Sequence, residues 1–207
     1  VEVGILNGGS LFMWREVFGP DARIIGVDLN PEVVKFREYG FEIFVGSQSD
    51  PNFWREVTNE IGTIDILIDD GGHNYIQQIV TAECTLENIS DGGMLIVEDT
   101  HTSYLEGFGN TSLSFINYCK IWVDKINARF GALENRGGRV DKRVWSVEFF
   151  ESIVVFKINR VASEMKSEPI WNEKPVKGEE DFSGADIDII EENQDAVATI
   201  LQKAFSL

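Results

Sequence analysis

Cysteine is nearly absent: Cys84 and Cys119 are the only two among 207 residues. A disulfide scaffold is therefore excluded, and two thiols lying in helical patterns read as reduced core residues of a cytoplasmic protein. Positive charge is also short, with 18 Lys and Arg against 35 Asp and Glu, a net charge of −17. No basic stripe exists to neutralise phosphates, which excludes nucleic acid as the expected partner. An acidic surface reads as solubility. No apolar run approaches the length of a membrane span, so a soluble protein is expected. No secretory leader pattern and no internal repeat stand out. The chain opens at Val1, already inside an apparent strand and without Met, so the reading allows for residues upstream.

What is present is an alternation of short apolar runs with amphipathic stretches. Residues 1–5, 23–29, 41–46, 64–70 and 94–99 read as strands. Residues 10–18, 31–38, 51–62, 75–89 and 112–130 read as helices, the fourth stopped by Asp91-Gly92-Gly93. Pro31 opens one helix and Asp50 caps another. In the last, Phe115, Ile116, Cys119, Trp122, Val123 and Ile126 share a face. Continuous apolar strands separated by helices predict an α/β fold, a doubly wound Rossmann-like sheet that is mostly parallel. Residues 144–150 and 152–158 break the alternation and read as a C-terminal antiparallel hairpin closing the sheet. Residues 1–159 thus form the expected main domain. Residues 160–207 form an acidic extension; a terminal helix at 195–205 places Val197, Ile200, Leu201 and Phe205 on one side.

Two of the strands end in paired carboxylates, Asp69-Asp70 and Glu98-Asp99, and His73 follows the first pair. On neighbouring parallel strands, Asp70, Glu98 and Asp99 converge at one sheet edge. They offer hard oxygen ligands for a divalent cation, with His73 near enough to move a proton. Asp69 and Asp70 point opposite ways along a strand, so Asp69 is free to serve a cofactor side. His101 is the rival base and reads better as lining a substrate pocket, together with Tyr104 in the loop after Asp99.

At the opposite end of the alternation, Glu2-x-Gly4-x-x-x-Gly8, with Asn7 in its turn, opens the first strand–helix junction, where glycines let backbone approach a ligand. Asp28 ends the second strand and suits ribose hydroxyls, or else caps the helix at Pro31. Ser47 and Gln48 follow the third strand. Gln48 has the donor and acceptor needed to read an adenine edge, or belongs to an ordinary loop.

These motifs together resemble the class I S-adenosylmethionine-dependent methyltransferases. More narrowly, residues 1–158 are similar to the metal-dependent sugar O-methyltransferases of macrolide and rhamnosyl-antibiotic tailoring. Asp69-Asp70-Gly71-Gly72-His73 is similar to that family's Asp-Asp-Gly-Ser-His, and Glu98-Asp99 with Thr102-Ser103-Tyr104 resembles its second metal segment. The resemblance implies S-adenosyl-L-methionine as cofactor, held by Glu2, Gly4, Asn7, Gly8, Asp28, Ser47, Gln48 and Asp69. It implies Mg2+ on Asp70, Glu98 and Asp99, with His73 as general base. The implied acceptor is a small molecule or glycan with vicinal hydroxyls, touched by His101 and Tyr104. It leaves open self-association into a homo-oligomer and gives no membrane-bound role. Gly72 replaces the usual Ser, and Ser47 stands where the family often has Asp. The family's N-terminal portion has no counterpart in this chain.

The alternatives are a catechol-type O-methyltransferase using the same metal–diol chemistry and a non-catalytic cofactor-binding protein. A dinucleotide oxidoreductase is disfavoured because the glycine pattern is not Gly-x-Gly-x-x-Gly. A hydroxylase is disfavoured because no iron-triad pattern or flavin signature stands out.

Overall fold

The computed structural model describes residues 1–130, 141–165 and 190–205. Seven strands form one sheet: β1 (Glu2–Val3), β2 (Ile25–Asp28), β3 (Glu42–Val45), β4 (Ile64–Asp69), β5 (Ile89–Val97), β6 (Ser146–Phe150) and β7 (Ile153–Lys157). Their order is β3-β2-β1-β4-β5-β7-β6. The first five are parallel; β7 runs antiparallel to β5, and β6 to β7. The doubly wound sheet with its closing hairpin is therefore as the sequence predicts.

Side-chain alternation gives the sheet two buried faces. Ile25, Val27, Leu67, Leu95, Val97 and Phe156 join Trp54, Leu86, Phe115 and Trp122 in the larger cluster. Ile24 and Ile43 point the other way and pack with Leu11, Val33 and Phe36. The larger face is covered by α2 (Pro51–Ile61), α3 (Tyr75–Thr85) and α4 (Phe115–Asn127). In α2 the buried positions are Trp54, Val57, Thr58 and Ile61, the one-face spacing of a 3.6-residue repeat; the Asp50 side chain accepts from the Asn52 amide, and Pro51 sits in the first turn. The other face carries α1 (Gly9–Phe18) and a 3₁₀ segment, Pro31–Tyr39. Val33 and Phe36, three apart, are its buried residues, which suits the three-residue repeat of that helix.

Several element ends differ from the sequence reading. Helix α3 stops at Thr85 rather than near 89. Asp91-Gly92-Gly93 lies inside β5 as a bulge, since Ile64 pairs with Ile89 but Ile66 with Met94. The bulged Asp91 accepts from the amide and guanidinium of Arg160, the first residue of α5 (Arg160–Glu164). The helix expected at 112–130 divides into a 3₁₀ turn at Thr111–Leu113 and α4, because Ser114 turns extended and caps the latter. Val123 of the predicted apolar face is exposed.

Val1–Lys166 forms one compact unit and Ser167–Leu207 a second. Within the second, Gln194–Phe205 is an amphipathic helix, α6. No helix among the described residues is long and apolar enough to cross a membrane.

Candidate active site

Chain order fixes where a ligand can sit. From β1 the chain winds outward through β2 and β3, then returns to place β4 on the other side of β1. The carboxyl ends of β1 and β4 therefore diverge into a crevice, the usual ligand position in an open α/β sheet. Gly4 closes β1 there with φ +83°, and a Cβ on it would lie 2.2 Å from the Asp70 carbonyl oxygen. Gly8, at φ +70°, sits against the Phe36 ring in the same way. Only glycine allows both the left-handed backbone and the approach of the two loops.

A cleft of about 440 Å³ opens at this point. Its walls include Gly4, Asp28, Ser47, Gln48, Asp70 and His73. Asp28 Oδ2 accepts the amides of Ile5 and Leu6 at 3.0 and 3.1 Å, which fixes the glycine loop. Asp28 does not cap the Pro31 segment; Asn30 does, by accepting from Glu32. The Gln48 amide nitrogen donates to Asp69 at 2.9 Å and to Thr81, while its oxygen accepts from Gly72. Burial pushes the Asp69 carboxyl up, and the Gln48 and Gly71 hydrogen bonds oppose that shift. Asn7 is exposed beside the cleft-lining Leu6. Glu2 stands apart from this group. Its buried carboxylate accepts from Trp14 Nε1, and it lines a separate cavity with Trp14 and Phe18.

Beyond Asp70 the second set of predicted residues comes together. Donor atoms of Asp70, His73 and Asp99 all lie within 4.8 Å of one another. His73 Nε2 is 3.3 Å from Asp99 Oδ2. Glu98 is outside this tightest group, but its carboxyl is pushed up by burial and by the charges of Asp70 and Asp99. Burial and Asp99 also raise Asp70, with His73 opposing. Among the described ion pairs no Lys or Arg neutralises Asp70, Glu98 or Asp99. Three uncompensated carboxylates beside an imidazole form a donor set suited to a hard divalent cation.

The backbone here is held in left-handed conformations, His73 at φ 55° and Asp99 at φ 52°. Residues to which the sequence reading gave no such role hold it. Thr102 Oγ1 donates to the His73 carbonyl, and Gln78 Nε2 donates to the Glu98 carbonyl. Buried Tyr75 donates to the carbonyls of Thr102 and Leu105. The signals in the sequence were Thr102, already within the second acidic motif, and Gln78, an interior polar residue on a predicted helix. His101 Nδ1 lies 2.6 Å from Ser152 Oγ, and Tyr104 projects into solvent from the loop after Asp99.

No protein-family model matches the chain. The 8-demethyl-8-alpha-L-rhamnosyl tetracenomycin-C 2'-O-methyltransferase of Streptomyces olivaceus is 32% identical over 169 residues, covering 74% of this chain and 43% of the relative. The mycinamicin VI 2''-O-methyltransferase of Micromonospora griseorubida is 32% identical over 165 residues, covering 74% and 40% respectively. The chain thus spans less than half the length of these relatives. A solved structure of the MycE methyltransferase from the mycinamycin biosynthetic pathway, in complex with Mg and SAH, superposes with a TM-score of 0.72 at 24% identity, over 84% of this chain and 47% of that one. That likeness shows the shared fold. By its sequence matches and its sheet, the chain belongs to the class I S-adenosylmethionine-dependent methyltransferases, and the relatives it matches are sugar O-methyltransferases.

Proposed function

We propose that the protein transfers a methyl group from S-adenosyl-L-methionine to a hydroxyl of a glycoside with vicinal hydroxyls, in a Mg2+-dependent reaction. The observation that carries this reading is the juxtaposition of the glycine-walled cleft with the Asp70–His73–Asp99 cluster at one sheet edge. The residues fit both groups. The Gly4–Asp70 approach leaves backbone lining that part of the cleft, and carboxylates without a Lys or Arg partner among the described ion pairs would be relieved of mutual repulsion by a cation.

When bound, the cofactor supplies an electrophilic methyl group and Mg2+ supplies Lewis acidity toward a sugar hydroxyl. The chain's own residues do the rest. Asp70 and Asp99, with Glu98 close by, would hold the cation; the left-handed backbone of Asp99 and the Gln78 hydrogen bond to the Glu98 carbonyl fix the end of that segment. His73 would take the proton of the acceptor hydroxyl. Asp99, 3.3 Å from Nε2, orients the ring. The glycine loop and Asp28 place the cofactor end of the cleft. Orientation of this kind can supply roughly 7–11 kcal/mol of the barrier reduction. Tyr104, exposed on the loop after Asp99, would meet the acceptor. The rhamnosyl tetracenomycin-C and mycinamicin VI named for the relatives make a rhamnoside the first acceptor to try.

The test is incubation with S-adenosylmethionine and a rhamnoside bearing free vicinal hydroxyls, with Mg2+ or with chelator, read by mass spectrometry. Methylation that chelator abolishes supports the reading. Methylation unaffected by chelator rejects the metal role, and methylation confined to a catechol control rejects the sugar acceptor.

A further inference from the structure

The hairpin that closes the sheet reaches the metal cluster through one residue. Strand β7 pairs with β5 as far as Val97↔Val154, so the turn between β6 and β7 projects past the end of β5, over Asp99. Ser152 occupies that turn with φ 63°, a left-handed conformation in a non-glycine residue. Its carbonyl accepts the amide of buried Thr100 at 3.1 Å. Its hydroxyl lies 2.6 Å from His101 Nδ1, and the same ring nitrogen is 3.7 Å from Asp99 Oδ1. Asp99 is thus followed by two residues that are both tied to Ser152. Asp99 itself holds φ 52°, ψ 32°, a conformation that persists in a non-glycine residue only when its neighbours fix it.

We propose that Ser152 is a positioning residue, which latches the segment after Asp99 to the hairpin turn and so aims the Asp99 carboxylate at Asp70 and His73. The inference rests on the metal-dependent reading above. Ser152 touches no reacting atom in this arrangement; it acts through Thr100 and His101. Groups that orient a ligating side chain commonly change metal affinity by 10–100-fold when removed. Ser152 works through one intervening residue, so a loss of about 3–10-fold is expected.

Mn2+ binding, followed by the electron paramagnetic resonance signal of free ion, reads this without turnover. S-adenosylmethionine affinity is measured calorimetrically on the same samples. Ser152→Gly keeps the carbonyl, suits the positive φ and removes the hydroxymethyl group that reaches His101. It should weaken Mn2+ about 3–10-fold and leave cofactor affinity unchanged. Ser152→Asn, a residue that tolerates the left-handed backbone and carries a polar side chain toward His101, should recover most of the loss. His101→Ala combined with Ser152→Gly should be no weaker than His101→Ala alone, because both remove one contact. Wild-type Mn2+ affinity in Ser152→Gly overturns the latch alone. Parallel loss of Mn2+ and cofactor affinity marks a general fold defect and overturns it as well. Absence of Mn2+ and cofactor binding in the unaltered protein removes the functional reading and the latch with it.

Discussion

Replacing Gln48 with alanine tests how the cleft floor is held. Gln48 joins the end of β3 to the end of β4: its amide nitrogen serves Asp69 and Thr81 and its oxygen serves the Gly72 amide. Asp69 is only 1% exposed, so no water can replace the lost donor cheaply. A buried polar group left without its partner costs about 1–3 kcal/mol, and the lost Gly72 bond adds about 1 kcal/mol. The variant should therefore be destabilised by about 2–4 kcal/mol in urea unfolding. The deficit should also depend on pH. Burial raises the folded carboxyl of Asp69 above its unfolded value, so its contribution to stability is greatest at acid pH and declines as pH rises through the folded value. Gln48 opposes that rise; without it the folded value climbs further. The deficit should accordingly be larger near about pH 7.5 than near about pH 4.5. A loss below about 0.5 kcal/mol, or one that grows toward acid pH, refutes the reasoning.

Other outcomes follow from the same geometry. Gly4→Ala must set a methyl group 2.2 Å from the Asp70 carbonyl at a positive φ, so it should cost about 2–4 kcal/mol and weaken cofactor binding; wild-type unfolding curves would contradict this. Asp70→Asn should lower Mn2+ affinity at least about 10-fold while S-adenosylmethionine still binds, as calorimetry can show. His73→Ala should retain cofactor and metal binding within a few fold yet lose about 100-fold or more in kcat; near-normal turnover excludes it as base. Tyr75→Phe removes the one hydroxyl donor shared by the Thr102 and Leu105 carbonyls and should cost about 1–2 kcal/mol, measurable by thermal unfolding.

The sheet was legible because its strands are nearly continuous apolar runs, and the terminal hairpin because two such runs abut at 150–153. The pairing of Asp70 with Asp99 was legible for the same reason: strands flanking one helix become neighbours. Element ends were less so. The Asp91-Gly92-Gly93 triplet looks like a helix stop, yet it forms a bulge whose acid is held by Arg160, a residue distant in sequence. The sequence reading set Glu2 with the cofactor residues on its place in the glycine motif. The structure points its carboxylate at Trp14, since strand alternation and the winding of α1, not spacing, decide where it faces. Gln48 and Asp69 were read as separate contacts for a cofactor, but their mutual hydrogen bond depends on the register of β3 and β4 and leaves no trace in either segment alone. Ser152 is hidden for a similar reason: its partners lie across an antiparallel pairing some 50 residues back.

Calorimetric titration of S-adenosylmethionine into the protein, with and without Mg2+, tests the central claim most directly. The account predicts micromolar binding in both conditions, because most of the cleft wall, Gly4, Asp28, Ser47 and Gln48 included, lies outside the candidate metal cluster, which shares only Asp70 and His73 with it. No detectable binding in either condition contradicts the methyltransferase reading.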